Sequence, residues 1–322
     1  MRKTLWSLVF AMAVYTAIVF LADVKAVGDA LSSMDLLMIP LFLSLSLANY
    51  VLRFLKWHYF LGRVGVSIPL RESFMVFLAG FSMTVSPGKL GELLKCYLIR
   101  DRRGIPVSRT SPVVVAERIT DLLSMILIAM TGLLMVRHRG ALVAVAAGSL
   151  LVFAAMVLLL WDRAFHALTG LLCRIRRFRE RRDSMVDFQG HCRRLLDPRS
   201  LAVSVPLGML SWSAEAMVLC LVSMSLGIDP ALPAGVALLA HSAGTIAGAV
   251  SLIPGGLGLT EITIGAILTV SMSGADAAAT TIIMRFATLW FAVVLGLLVL
   301  GHLGRNRCAG QSAPSAGLSA GS

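Results

Sequence analysis

Glu117, Arg118 and Asp121 sit close together inside an otherwise apolar run. On a helix, Arg118 and Asp121 are i, i+3 neighbours and Glu117 and Asp121 are i, i+4, so the three share a face and partly neutralise one another. A second arginine, Arg285, stands alone in a later apolar run. An ionisable side chain at the centre of a membrane span costs about 2.5–3.5 kcal/mol, so it needs a partner or a task. The task these residues suit is anion binding. Arg118 and Arg285 together would hold a phosphate or other anionic headgroup through bidentate hydrogen bonds. The competing reading is that the charges pair with one another and only brace the fold.

Two further motifs belong to the same chemistry. One is Pro87-Gly88-Lys89-Leu90-Gly91-Glu92, and the other is Pro254-Gly255-Gly256-Leu257-Gly258-Leu259-Thr260-Glu261. Proline and glycine interrupt a helix, and a helix restarting after each break directs its positive N-terminal dipole towards an anion. Glu92 and Glu261 fall in those first turns. They would read a cationic group, carry a coupling proton or cap the half-helix. Glu261 is also the nearest counter-charge for Arg285. Asn49, Arg53, Lys56 and Trp57 read as an interfacial anchor of basic and aromatic residues, or as a place that gathers headgroups. Glu215 and His241 are single polar residues in apolar runs, expected to be hydrogen-bonded core positions.

The elements that must position these residues are membrane helices. Of the 322 residues 57% are hydrophobic and 14% charged, and the mean hydropathy is +0.85. A soluble chain carries about a quarter charged residues. Six stretches have the roughly 20 apolar residues a bilayer requires: 4–22, 35–52, 110–136, 140–161, 201–226 and 276–301. The first follows Arg2 and Lys3 and reads as a retained helix rather than a cleaved signal. Segments 72–99 and 232–272 are apolar but broken in the middle. The net charge of +12 gathers in a few loops, as the positive-inside rule has it, and not over a surface that would bind nucleic acid. Threading the chain by those loops puts both ends in the cytoplasm. It also gives each broken segment two flanks on one side, which describes a re-entrant hairpin whose tip is buried in protein or faces water.

The broken segments also match each other. Arg118 and Arg285 each follow their proline by 31 residues, and the motifs lie 167 apart. At that offset span 35–52 falls on 202–219 and span 110–136 on 277–303. The expectation is an all-α polytopic membrane protein of about six full spans and two re-entrant hairpins. They form an inverted repeat over 35–136 and 202–303, the construction of many secondary transporters, within one membrane domain over 1–303. The basic segment 162–200 is expected to be a cytoplasmic loop, solvated or lying as an amphipathic helix on anionic headgroups. Residues 304–322, rich in Gly, Ser and Ala, are expected to be disordered. Cys96, Cys173, Cys192, Cys220 and Cys308 form no CxxC pair, so no zinc or redox site is expected. The absence of HExxH, GxSxG and GxxxxGK[ST] motifs argues against a metalloprotease, a serine hydrolase and an ATP-driven pump. No cofactor or metal is expected.

Three stretches resemble the transmembrane region of lysylphosphatidylglycerol synthases, a flippase-like family: Asn49-Tyr50-Val51-Leu52-Arg53 through Trp57; Ser86 to Glu92 followed by Glu117-Arg118 and Asp121; and Pro254 to Gly258 with Glu261 and then Arg285. Together they cover most of 35–300. The resemblance implies a protein of the bacterial cytoplasmic membrane that moves a lipid between leaflets, lysyl-phosphatidylglycerol in its best-known branch and glycolipids or hopanoid-type lipids in others. It also implies a possible association with a lipid-biosynthetic enzyme. This chain has Ser86 where the family often has Asn, and Leu93-Leu94-Lys95 where Arg commonly follows the Glu, which brings Lys95 into the candidate set. It lacks the soluble aminoacyl-transferase domain of those synthases, so non-enzymatic translocation is expected. Carriage of a soluble anion, or a non-transporting accessory role, are the alternatives. With hairpins dipping from opposite faces, a cysteine at Lys89 should react with an impermeant maleimide from the cytoplasm and one at Leu252 from outside. Labelling of both from one face would exclude the inverted arrangement.

Overall fold

A chain this apolar satisfies its backbone inside a bilayer only by forming helices or a closed barrel. The computed structural model describes residues 34–85, 92–136, 138–174, 182–228 and 230–311 with the single positions 25, 28, 29 and 32, and side chains as far as 305. It is all-helical, with no strand among the described residues. After a short 3₁₀ turn at Leu36–Met38 come α1 (Ile39–Arg63), α2 (Leu70–Gly80), a 3₁₀ turn at Phe81–Met83, α3 (Leu94–Arg103), α4 (Val107–Met135), α5 (Arg139–Leu160), α6 (Asp162–Leu172) and α7 (Arg182–Leu195). Then follow α8 (Pro198–Ser225), α9 (Ala234–Val250), a 3₁₀ turn at Pro254–Gly256, α10 (Leu259–Leu268), α11 (Gly274–Arg285), a π-helical turn at Phe286–Trp290 and α12 (Phe291–Gln311).

Four described helical stretches are long and apolar enough to cross a membrane: Leu36–Arg63, Arg139–Leu160, Pro198–Ser225 and Gly274–Arg305. They correspond to four of the six expected spans. The expected span 4–22 lies outside the described residues. The span expected at 110–136 is the 29-residue helix α4, which carries Glu117, Arg118 and Asp121 in its middle.

Several expectations are corrected. The helix expected to end at 52 runs on to Arg63. Asn49, Lys56 and Trp57 therefore lie in its buried face, with relative exposures of 0%, 1% and 0%, and do not form an interfacial anchor. The loop expected at 162–200 contains α6 and α7. Helix α7 does not lie loose on the membrane surface: it packs on α4 and α5 and buries Gln189, Cys192 and Leu195. Residues 175–181, which hold part of the arginine cluster, lie outside the described residues. The tail expected to be disordered from 304 is helical to Gln311. Both corrected helices carry polar or small residues that a composition reading discounts, and both are held by continuity with, or packing on, neighbouring helices.

Helix ends are capped locally. Asp197 caps α8 by accepting from the Ser200 amide at 2.7 Å. Ser200 is also the main reason its carboxyl lies below the ordinary range, with Arg63 (2.5 Å) and Arg199 adding to the effect. Ser273 caps α11 through the Asp276 amide at 3.2 Å, a preferred N-cap residue in its usual role. The second break needs glycine. Gly255, Gly256 and Gly258 have φ of +64°, +68° and +88°, where side chains with a Cβ are disfavoured. Leu252, just before the break, takes φ +56°, uncommon for a residue other than glycine.

Packing is reciprocal between the two halves. The first broken unit, α2 with its 3₁₀ turn, packs on α12, and the second, α9, packs on α4 and on α10. Helix α1 packs most extensively on α8, and α8 on α4. A close approach of backbone between the halves is at Gly296. A Cβ there would stand 2.3 Å from the Ser82 amide nitrogen and 2.8 Å from the Phe81 carbonyl carbon. Neither backbone atom can move aside without shifting the turn. Gly296→Ala should therefore destabilise the protein by about 1–3 kcal/mol, the usual cost of overpacking, read as a lower melting temperature in detergent. An unchanged melt would mean that α12 and the turn are not in this contact.

Candidate functional site

The charges of α4 are distributed among three other elements. Lys56 of α1 donates to Asp121, and both are buried. Trp212 of α8 donates its indole N–H to the same Asp121 oxygen, Oδ1, at 3.1 Å. Arg118 bridges Asp121 (2.9 Å) to Glu92 (3.1 Å), which stands just before α3. One turn earlier, Glu117 accepts from Lys95 of α3 at 2.6 Å. The Lys95 ammonium also lies 4.1 Å from the centroid of the Trp57 ring, a cation–π contact in a dry setting. The periodicity of α4 puts Glu117, Arg118 and Asp121 on one face, and that face meets α1, α3 and α8.

A second network lies at the other break. Arg285 donates from Nε to Glu261 at 2.7 Å and from Nη2 to the Gly255 carbonyl at 3.0 Å. Glu261 accepts, on its other oxygen, from the Gly258 amide at 2.7 Å. The broken backbone at Pro254–Gly258 thus has its polar groups met by protein, as irregular backbone at membrane depth requires. The π turn following Arg285 is handled in the same way. Ser46 donates to the Ala287 carbonyl at 2.9 Å and Tyr50 to the Thr288 carbonyl at 2.6 Å. Such turns expose carbonyls that need donors and recur at functional sites.

Two cavities adjoin these networks. A polar pocket of about 70 Å³ is lined by Tyr50, Arg53, Glu92, Arg118, Glu215, Thr260, Arg285 and Thr288, with Gly255 and Gly256 of the break. An apolar cleft of about 390 Å³ is lined by α4 (Val114, Val115, Leu122, Met125), α5 (Leu151, Val152, Ala155) and the end of α9 (Ala249, Leu252, Ile253). Arg118, Trp212, Thr245 and Gly248 line both. The rim of the cleft includes Leu151 and Leu252, 44% and 68% exposed, so the cleft opens on the apolar outer surface of the bundle.

The structure brings four expected site residues, Arg53, Glu92, Arg118 and Arg285, into the polar pocket. Asp121 lines the cleft beside Arg118. Glu117 and Lys95 form a buried pair that lines neither cavity, and Glu261 stands behind Arg285. Pro254, Gly255, Gly256 and Gly258 form the second break, whereas Pro87, Gly88 and Gly91 lie outside the described residues. Arg53 makes no ion pair among the described residues. Its guanidinium lies 4.8 Å from the Trp212 ring centroid and 5.3 Å from that of Phe81.

Glu215, expected to be an ordinary core residue, faces the polar pocket. His241, also expected to be hydrogen-bonded, is buried with no hydrogen-bond partner for either ring nitrogen among the described residues. Trp212 and Thr288 gave no sequence signal, since an aromatic or hydroxyl residue in an apolar span reads as packing, and Tyr50 stood out only as part of the Asn49–Arg53 stretch. Among the described residues no group of three His, Cys, Asp or Glu side chains is placed to hold a metal ion.

The fold and site define a polytopic helical membrane protein with a buried ion-pair network facing a joined polar and apolar cavity. The chain belongs to the family described as the lysylphosphatidylglycerol synthase TM region, whose model matches residues 6–296. That family links it to lipid metabolism or transport at a membrane. No curated protein matches the chain.

A buried pair that loses one member is left with an uncompensated charge, at a cost of about 3–5 kcal/mol. Arg285→Met should lower stability by that order, because the Glu261 side chain has no exposure to solvent. The double variant Arg285→Met/Glu261→Gln should recover part of the loss. A loss in the double variant equal to the sum of the losses of Arg285→Met and Glu261→Gln, measured as melting temperatures, would show that the two residues are not coupled.

Proposed function

We propose that this protein is a non-enzymatic lipid transporter that moves a lipid with an anionic headgroup, including aminoacylated or glycosylated forms, between the leaflets of the bacterial cytoplasmic membrane. The observation that carries the reading is the amphipathic cavity. An apolar cleft with a lipid-facing rim at Leu151 and Leu252 runs into a polar pocket at Arg118 and Trp212. A soluble anion has no use for the apolar part, and a scaffold has no use for either. The cleft falls within the range of about 300–1,000 Å³ that small-molecule sites occupy. Family membership supports the same reading.

The inverted repeat belongs to this proposal. At the offset of 167, α2 and α3 fall on α9 and α10, and α1 and α4 fall on α8 and on α11 with α12. Two broken units that enter from opposite faces and meet at one polar pocket allow alternating exposure of that pocket. In this scheme the ends of the chain are cytoplasmic and α4 is the fifth full span of 34–311.

The headgroup contact falls chiefly to Arg53. Arg118 and Arg285 also line the pocket, but Arg118 is ion-paired with Glu92 and Asp121, and Arg285 donates to Glu261 and to the Gly255 carbonyl. Among the described residues Arg53 is in no ion pair and stacks on the faces of Trp212 and Phe81, and it lines the pocket. A charge-assisted hydrogen bond is worth about 1.5–3 kcal/mol. Arg53→Ala should therefore slow the flipping of a fluorescent phosphatidylglycerol in proteoliposomes by roughly 10- to 150-fold on that energy. Its melting temperature should stay near that of the parent protein. An unchanged flipping rate in a folded variant would refute this reading of the pocket.

A further inference from the structure

Among the described residues the buried carboxylates have basic partners, with one exception. Five carboxylates are buried among the described residues: Glu92, Glu117, Asp121, Glu215 and Glu261. Four of them are in ion pairs, with Arg118, Lys95, Lys56 and Arg285 respectively among their partners. Among the described residues Glu215 is in none, and it lines the polar pocket together with Arg53, the one arginine there with no ion pair. Glu92 and Glu261, which the sequence offered as proton carriers, are occupied by arginines and by the backbone of the break.

We infer that Glu215 takes up one proton when a monoanionic headgroup enters the polar pocket, so that movement of the anion is coupled to a proton. The inference rests on the proposed reading of that pocket as a headgroup site. Its physical basis is charge balance in a confined, poorly solvated space. Arg53 and Glu215 line the same space of about 70 Å³, and in the inferred scheme their charges balance while no guest is bound. A guest anion seated on Arg53 takes up the counter-charge that Glu215 relied on and brings a second negative charge close to it. Like charges in a site of low polarity do not both stay ionised. Protonation of Glu215 from the water restores neutrality, and the loaded protein then carries no extra charge through the membrane.

The other groups around Glu215 are less suited to this exchange. Helix α1 presents Tyr50, whose hydroxyl is committed to the Thr288 carbonyl at 2.6 Å, and Arg53. Helix α4 presents Arg118 and Asp121, each held by a second ionic partner. Helix α11 presents Arg285, bound to Glu261. Helix α9 contributes His241, whose ring lies 6.0 Å from that of Trp212. His241 is buried and lines neither cavity, and so is not in line with a guest.

The test is calorimetric titration of the purified full chain in detergent with dihexanoyl phosphatidylglycerol. It is run in buffers of different ionisation enthalpy and at several pH values, with glycerophosphate as the probe lacking acyl chains. The expected result for the parent protein is uptake of close to one proton per lipid bound. Affinity should tighten by up to about tenfold for each pH unit lowered, the slope that linkage sets for one proton. Glycerophosphate should bind far more weakly. Glu215→Gln should bind the lipid with an affinity independent of pH, while His241→Asn should keep the proton uptake. Lipid binding without proton uptake in the parent protein overturns the coupling and leaves the headgroup site standing. Uptake that persists in Glu215→Gln, or is lost in His241→Asn, overturns the assignment to Glu215. No binding of the lipid, or equal binding of glycerophosphate, overturns the lipid reading and this inference with it. Should Glu215→Gln fail to fold, Glu215→Asp keeps the exchangeable group, and the proton count of the parent protein decides by itself.

Discussion

Asp121 is the point on which the core is organised. Its two oxygens receive Lys56 from α1, Arg118 from α4 and the Trp212 indole from α8. A carboxylate buried in a helical bundle is tolerable only if its charge is compensated. Compensating it here fixes the rotation of three helices about their axes. Glu117 with Lys95 does the same for α3, and Glu261 with Arg285 for α10 and α11. Van der Waals packing alone orients apolar helices weakly, because lipid tails are as apolar as the side chains they compete with. The buried charges supply the specificity that the hydrophobic effect cannot supply in this solvent.

The same constraint explains the glycines and the breaks. Irregular backbone in the membrane needs donors and acceptors from the protein, and the second break obtains them from Arg285 and Glu261. The two halves of the molecule approach closely where a side chain is absent, at Gly296 against the Phe81–Ser82 backbone, and within the second half α9 meets the break at Gly248 against Gly256, whose Cα lies 3.1 Å from where a Cβ of Gly248 would stand. Small residues at such crossings are the usual device of membrane helices. The polar pocket lies where these features converge, bounded by the break, the π turn and the charged faces of α1 and α4. Bracing and binding are thus different duties of neighbouring residues. Arg285 holds the break, while Arg53 and Glu215 face the pocket without ionic partners among the described residues.

Much of this was legible in the chain. The helical class, four of the spans and the clustering of Glu117, Arg118 and Asp121 on one face follow from composition and from the periods 3 and 4 of a helix. The position of the second break follows from proline and glycine, whose backbone limits are local. Other residues were misplaced for the same reason that these were placed. Lys56 and Trp57 look like an interfacial anchor because basic and aromatic residues at the end of an apolar stretch usually are one. Their burial depends on α1 continuing to Arg63 and on Asp121 lying opposite, 65 residues further along the chain.

The sequence by itself determined which residues are charged within apolar runs, which turns break, and that the chain belongs among helical membrane proteins, because these depend on side-chain chemistry and on neighbours within a turn or two. Only the tertiary structure decided which charges neutralise one another and which remain to face a cavity. That choice depends on distances between helices far apart in the chain, and the energy of a buried charge changes by several kcal/mol according to whether a partner stands beside it. Glu215 looks in the sequence like an ordinary core residue, and only the packing of α8 against α1 and α11 brings it to the pocket.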